Sequence, residues 1–218
     1  MSGPSRSERA VQIKICGITS SADALDAVEC GADALGFNLF RGSRRFVDLN
    51  AAAQWIRRLP AKIPRVAVLV SPTWDEAMTT LNSQLFHSLQ LHGDESPEFC
   101  RRLAQAGIQF TKALPVAGEE SLLQPADFST PRILLDSRSP EGFGGTGLSF
   151  PWSLARRFIA DHPDFQVILA GGLTPENVVE AINTAQPVGV DVTSGVEASI
   201  GRKDRRRLAA FISAARGR

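Results

Sequence analysis

The strongest constraint on this chain is an alternation of short apolar runs with helix-patterned segments, repeated eight times along its length. Candidate strands span residues 11–16, 34–39, 65–70, 88–92, 109–114, 132–136, 166–170 and 188–192. They are rich in Val, Ile, Leu and Phe and mostly lack polar alternation, the pattern of strands buried on both faces of a parallel sheet. Repeated βα units imply right-handed crossovers, and this many in one chain favour closure of the sheet on itself. The expected fold is an α/β protein of the (β/α)8 TIM barrel type. At roughly 25 residues per unit it is compact against the ~250 of a typical barrel.

Helix starts punctuate the pattern. Thr73 with Glu76 forms a capping box, and Ser96-Pro97 and Thr174-Pro175 each place a cap residue before a first-turn proline. The last helix carries Leu208, Phe211, Ile212 and Ala215 on one stripe, with Arg205 to Arg207 on a solvated face. No linker rich in Gly, Ser or Pro divides the chain, so residues 11–218 are expected to form one catalytic domain behind a disordered leader over 1–10. One connection, 137–151, is long and holds Gly142, Gly144, Gly145 and Gly147, as binding loops and lids do.

Composition narrows the partners. Lys plus Arg is 24 and Asp plus Glu is 23, a formal charge of +1 that gives no general attraction to nucleic acid or an anionic membrane. No run approaches the roughly 18 apolar residues of a membrane span, and the polar first residues are no secretory signal. Cys16, Cys30 and Cys100 form no CxxC pair, which suits free thiols in a reducing cytoplasm. His87, His92 and His162 are scattered over different elements, so a metal cage is not expected.

In such a barrel the chemistry projects from the C-terminal ends of the strands. The first strand ends at Cys16, the fourth at His92 and the sixth at Asp136, while Arg45 follows the second. A strand-end thiol is a base if local cations or amide dipoles lower its pKa, and a partly desolvated carboxyl across the mouth is an acid. The residues alone also allow Cys16 as a small buried hydrophobe and Asp136 as a loop cap. Cys30 and Cys100, within predicted helices, read as structural. Gly171-Gly172 before a helix, and Thr193-Ser194-Gly195 after the eighth strand, suit a phosphate held by backbone N–H groups. Arg45 is either a carboxylate clamp or surface, His92 a substrate contact or a structural histidine, and Asp191 an orienting carboxylate or a local acceptor.

The segments KICGIT (14–19), GADALGF (31–37), QLHG (90–93), LLDS (134–137), GGTG (144–147) with Phe150, AGGLTPENV (170–178) and DVTSGVE (191–197) occur in that order. With them the chain resembles the phosphoribosylanthranilate isomerase family from about residue 11 to 211. That resemblance implies Cys16 as general base and Asp136 as general acid, with Arg45 on the anthranilate carboxylate. It implies phosphate against Gly171, Gly172, Ser194 and Gly195, with His92, Gly145 and Asp191 also lining the substrate. Arg44, Pro151 and Thr193 depart from the family's usual residues, and Thr193 keeps a hydroxyl.

The resemblance further implies an Amadori rearrangement of N-(5-phosphoribosyl)anthranilate, a small phosphorylated substrate, by a monomer or homodimer without cofactor. The nearest enzymatic alternatives are other phosphosugar barrels. An indole-glycerol-phosphate synthase is expected to use a lysine acid, and a ribulose-phosphate epimerase a metal. The alternative of another class is a catalytically silent phosphate-binding barrel, against which the pairing of Cys16 with Asp136 argues.

Overall fold

The computed structural model describes residues 10–116, 125–137 and 150–217. Residues 1–9 of the leader expected over 1–10, and the loop glycines Gly142, Gly144, Gly145 and Gly147, lie outside the described residues. Strands β1 (Gln12–Ile15), β2 (Ala34–Asn38), β3 (Arg65–Leu69), β4 (Ser88–Leu91), β5 (Phe110–Val116), β6 (Arg132–Ser137), β7 (Gln166–Leu169) and β8 (Gly189–Val192) form a closed parallel barrel in sequence order. β8 pairs back onto β1 with Lys14 opposite Asp191. Every strand lies within two residues of its expected bounds.

Side-chain parity divides each strand. On β1, Ile13 and Ile15 face outward into the layer shared with the helices, with Leu35, Phe37, Leu89, Leu91, Leu135, Leu169 and Val190. The opposite parity faces the barrel interior, where Ala113, Leu134 and Ala170 pack with Ile168 in a small apolar cluster. Lys14, Cys16, Gln90, Asp136 and Asp191 share this inward parity, so the interior is apolar on one side and polar on the other.

The outer layer comprises α1 (Ser21–Glu29), α2 (Leu49–Arg57), α3 (Trp74–Asn82), α4 (Pro97–Gln105), α5 (Trp152–Asp161), α6 (Val178–Ala185) and α7 (Arg205–Ala215). Between β5 and β6 the described residues contain a 3-10 turn, Pro125–Phe128. The Thr73–Glu76 capping box forms in full, and Ser96 caps α4 ahead of Pro97. Such caps satisfy first-turn N–H groups that have no partner inside the helix.

The Thr174-Pro175 expectation is corrected: α6 begins at Val178 with Asn177 as its cap residue. Residues 174–177 instead form a turn in which Asn177 is the tie, its Oδ1 accepting from the Thr174 N–H and its Nδ2 donating to Gly172 O. Loop closure takes precedence over an early helix start.

All four stripe residues of α7 are buried, and Arg205 on its other face pairs with Asp26 and Glu29 of α1. Arg216 then reaches Asp33 and Val11 O, tying the end of the chain to the base of β1. A short antiparallel hairpin, β9 (Glu197–Ser199) and β10 (Arg202–Lys203), leaves the top of β8. Among the described residues no helix is long and apolar enough to cross a membrane.

Candidate active site

Cys16 is the first residue beyond β1, held there by its N–H donating to Val192 O at 2.9 Å. Its sulfur sits over Gly36 of β2, and the same spot is approached by the Lys14 ammonium. Lys14 Nζ donates to Asp191 Oδ2 at 2.7 Å and to Gln90 Oε1 at 2.9 Å. A charged pair inside a barrel is tolerable only when each partner neutralises the other and hydrogen bonds replace lost water. Burial works against the Lys14 ammonium, yet Asp191 and Cys16 together hold its pKa above the ordinary value.

The polar line continues across the barrel. Gln90 Nε2 lies 3.0 Å from His92 Nδ1, and His92 Nε2 lies 3.1 Å from Asp136 Oδ2. The other carboxylate oxygen, Asp136 Oδ1, accepts from the Ser137 N–H at 2.9 Å. A single chain of contacts thus joins thiol and carboxyl through β1, β4 and β6. His92, read from sequence as a substrate contact or a structural histidine, has both ring nitrogens beside protein groups.

The thiol behaves differently from the sequence expectation. Burial pushes its pKa above the ordinary value; Lys14 opposes this, Asp191 adds to it and Lys203 opposes it. The expected cations are present, but desolvation outweighs them. Cys100 is inert for the same reason, buried in α4 and pushed up to about 11. Cys30 lies just past α1 and is not in the mouth.

Arg45 is not a surface residue. Its side chain packs against Gly17, and its guanidinium grips Glu197 in two parallel bonds, Nε to Oε1 at 2.8 Å and Nη2 to Oε2 at 2.7 Å. Lys203, with a fully buried side chain, donates to Glu197 Oε1 at 3.2 Å and to Thr193 O at 3.0 Å. Burial disfavours the Glu197 carboxylate, but the Arg45 hydrogen bonds and the Lys203 charge prevail and hold its pKa below the ordinary value.

The loops after β7 and β8 abut. Gly171 and Gly172 have φ of +82° and +64°, a region that favours glycine. A Cβ on Gly171 would stand 2.6 Å from the Ser137 backbone nitrogen, and one on Gly195 would run into Leu173 O. Ser194 opens a 3-10 turn, Ser194–Val196, beside them. Glycine here permits backbone approach that any side chain would block. Asp191 Oδ1 is buried and has no hydrogen-bond partner among the described residues.

Lys14, Gln90, Glu197 and Lys203 were not singled out as site residues from sequence. For two of them the signal was parity: Lys14 and Gln90 lie two residues before Cys16 and His92, on the same strand faces. Glu197 and Lys203 come from a hairpin with no periodic signature. Among the described residues, no three His, Cys, Asp or Glu side chains are grouped to hold a metal.

Comparison with known proteins adds a second line of argument. Residues 13–214 match the family model described as N-(5'phosphoribosyl)anthranilate (PRA) isomerase. The chain is similar to N-(5'-phosphoribosyl)anthranilate isomerase of Geobacter sulfurreducens, 45% identical over 95% of this chain and 99% of that one. The phosphoribosyl anthranilate isomerase of Thermotoga maritima superposes with a TM-score of 0.87 at 39% identity, over 95% of this chain and all of that one. Another structure of that protein is described as mutually generated monomers of a dimeric enzyme. A phosphoribosyl anthranilate isomerase in complex with reduced 1-(o-carboxyphenylamino)-1-deoxyribulose 5-phosphate gives a TM-score of 0.84 at 37% identity, with 95% and 100% covered.

Proposed function

The chain belongs to the N-(5'-phosphoribosyl)anthranilate isomerase family, and from that premise we propose how its mouth residues divide the reaction. It is an aldose–ketose isomerase of tryptophan biosynthesis, turning N-(5'-phosphoribosyl)anthranilate into 1-(2-carboxyphenylamino)-1-deoxyribulose 5-phosphate. In our reading Asp136 is the general acid. It protonates the furanose ring oxygen, the C1–O bond breaks, and the anilino nitrogen becomes an iminium. Cys16, as thiolate, removes the C2 proton to leave an enolamine. A proton then enters at C1 as the C2 hydroxyl loses its own, giving the ketone with no net change in protons.

The observation that carries this reading is the unbroken contact line from Asp136 through His92, Gln90 and Lys14 to Cys16. It supports thiol and carboxyl facing one mouth from opposite parts of the sequence. The raised thiol pKa also fits the order of steps. Ring opening places an iminium charge beside the sulfur, and a nearby cation favours the thiolate.

Substrate contacts follow from the remaining groups. The phosphate would lie against the N–H groups of Gly171, Gly172 and Gly195 with Ser194. Glu197 occupies the Nε side of Arg45, which leaves the Nη1 edge of the guanidinium for the anthranilate carboxylate. Asp191 Oδ1, a buried acceptor unpartnered among the described residues, suits a sugar hydroxyl. Holding the phosphate far from C2 uses binding energy to orient the reacting carbon. We place the enzyme in the cytoplasm, where its free thiols suit a reducing compartment. We take it as a monomer or homodimer, which sedimentation decides.

The test follows fluorescence of the anthranilate sugar as it is consumed by the native chain, Cys16→Ala and Asp136→Asn. Turnover by the native chain with both variants silent is expected. Native turnover in Asp136→Asn would remove that carboxyl from the mechanism.

A further inference from the structure

His92 and Gln90 have ambiguous hydrogen-bonding ends, but one neighbour resolves both. An ammonium only donates, so Lys14 Nζ at 2.9 Å requires the carbonyl end of Gln90 to face it. The amide N–H₂ of Gln90 is then the end turned to His92 Nδ1 at 3.0 Å, and Nδ1 must accept. The remaining ring nitrogen, Nε2, must carry the proton, and it lies 3.1 Å from Asp136 Oδ2. Lys14 cannot rotate out of this arrangement cheaply, because Asp191 holds it at 2.7 Å in the buried interior.

We propose that Gln90 is a positioning residue: keyed by Lys14, it fixes the His92 proton on Nε2, the ring nitrogen that lies 3.1 Å from Asp136 Oδ2. With the Ser137 N–H on Oδ1, both oxygens of Asp136 then face a donor. Two donors stabilise the carboxylate that remains once the acid has released its proton to the ring oxygen. A proton wire is not implied, since the Gln90 amide in mid-line does not readily pass one. This inference rests on the assignment of Asp136 as acid for its catalytic consequence, but the tautomer itself depends only on Lys14, Gln90 and His92.

The experiment is long-range ¹H–¹⁵N correlation NMR on the full chain labelled with ¹⁵N-histidine, with His92 identified by its loss in His92→Asn. Native protein should show His92 with Nδ1 unprotonated and Nε2 protonated. Gln90→Glu puts an acceptor opposite Nδ1, so Nδ1 should become protonated. Its kcat should fall about tenfold or more, with KM changed less than about threefold. If that variant does not fold, Gln90→Met serves, and its His92 should lose the single-tautomer signature with the same fall in kcat. A native spectrum with the proton on Nδ1 overturns the proposal, as does an Nδ1 protonated in Gln90→Glu with kcat within about twofold of native. Because the spectrum reads the tautomer whether or not Asp136 is the acid, native turnover in Asp136→Asn would sink the acid assignment separately.

Discussion

The Cys16 sulfur rests directly over Gly36: a Cβ at residue 36 would stand 2.6 Å from Sγ and 3.1 Å from Lys14 Nζ. Those are the ends of side chains, which can swing aside, so Gly36→Ala is expected to fold while displacing the thiol. A misplacement of about 1 Å costs up to about a hundredfold. We expect kcat to fall about tenfold or more with KM little changed, measured alongside circular dichroism. Native kcat would mean that the position of the sulfur is immaterial.

Removing either of the groups proposed to react should be more severe. Cys16→Ala and Asp136→Asn are each expected to lower kcat by at least about a hundredfold, the low end for a general acid or base. Both should keep the native unfolding midpoint to within a few degrees, since neither side chain carries the core.

Lys14 draws the thiol pKa down against burial. Lys14→Met should therefore raise that pKa further and move the alkaline-rising limb of kcat to higher pH. The variant also leaves Asp191 as a buried uncompensated charge, at a cost of about 3 kcal/mol or more. Adding Asp191→Asn should recover much of the stability by urea unfolding. Asp191 itself raises the thiol pKa, so the double variant should return only part of the shifted limb.

Glu197 holds two cations, Arg45 and the buried Lys203. Glu197→Gln should cost about 3 kcal/mol in urea unfolding, because it strands the Lys203 charge. It should also raise KM through a loosened Arg45. The folded-state pKa of Glu197 lies below the ordinary 4.5, so its contribution is fully present above that value and is lost as pH falls through the folded one. The stability gap between native and variant should accordingly be wide at neutral pH and narrow under acid. A gap that widened on acidification would contradict the sign.

At Gly195 the obstruction is backbone, since a Cβ would meet Leu173 O. Gly195→Ala must therefore push apart the loops after β7 and β8. KM should rise about tenfold or more with a smaller change in kcat, as expected for lost phosphate binding. Inorganic phosphate should inhibit this variant more weakly than the native enzyme. Equal inhibition would place the phosphate elsewhere.

The barrel could be read in the residues because apolar periodicity reports burial, and burial on both strand faces has few solutions. Cys16, Asp136 and the glycine pairs can be read as candidates because they stand at strand ends, where this architecture carries its chemistry. Lys14 and Gln90 escaped because a charged or amide residue inside an apolar strand gives no hint of its partner until β8 and β4 are placed around it. The cap at Thr174 failed for a related reason: Asn177 binds Gly172 O, a contact within the loop that overrides the local Ser/Thr-Pro signal. The direction of the Cys16 shift also needed coordinates, since it is a balance between enclosure and two cations contributed by distant segments.

The hairpin after β8 reaches back to the loop after β2, so the electrostatics around the thiol are completed from the far end of the chain. Lys14, Cys16 and Arg45 are synthesised well before Asp191, Glu197 and Lys203. A nascent half-barrel therefore holds Lys14 without Asp191, Arg45 without Glu197 and Cys16 without Lys203. The set of charges around the thiol is complete only when the seam between the first and eighth strands closes.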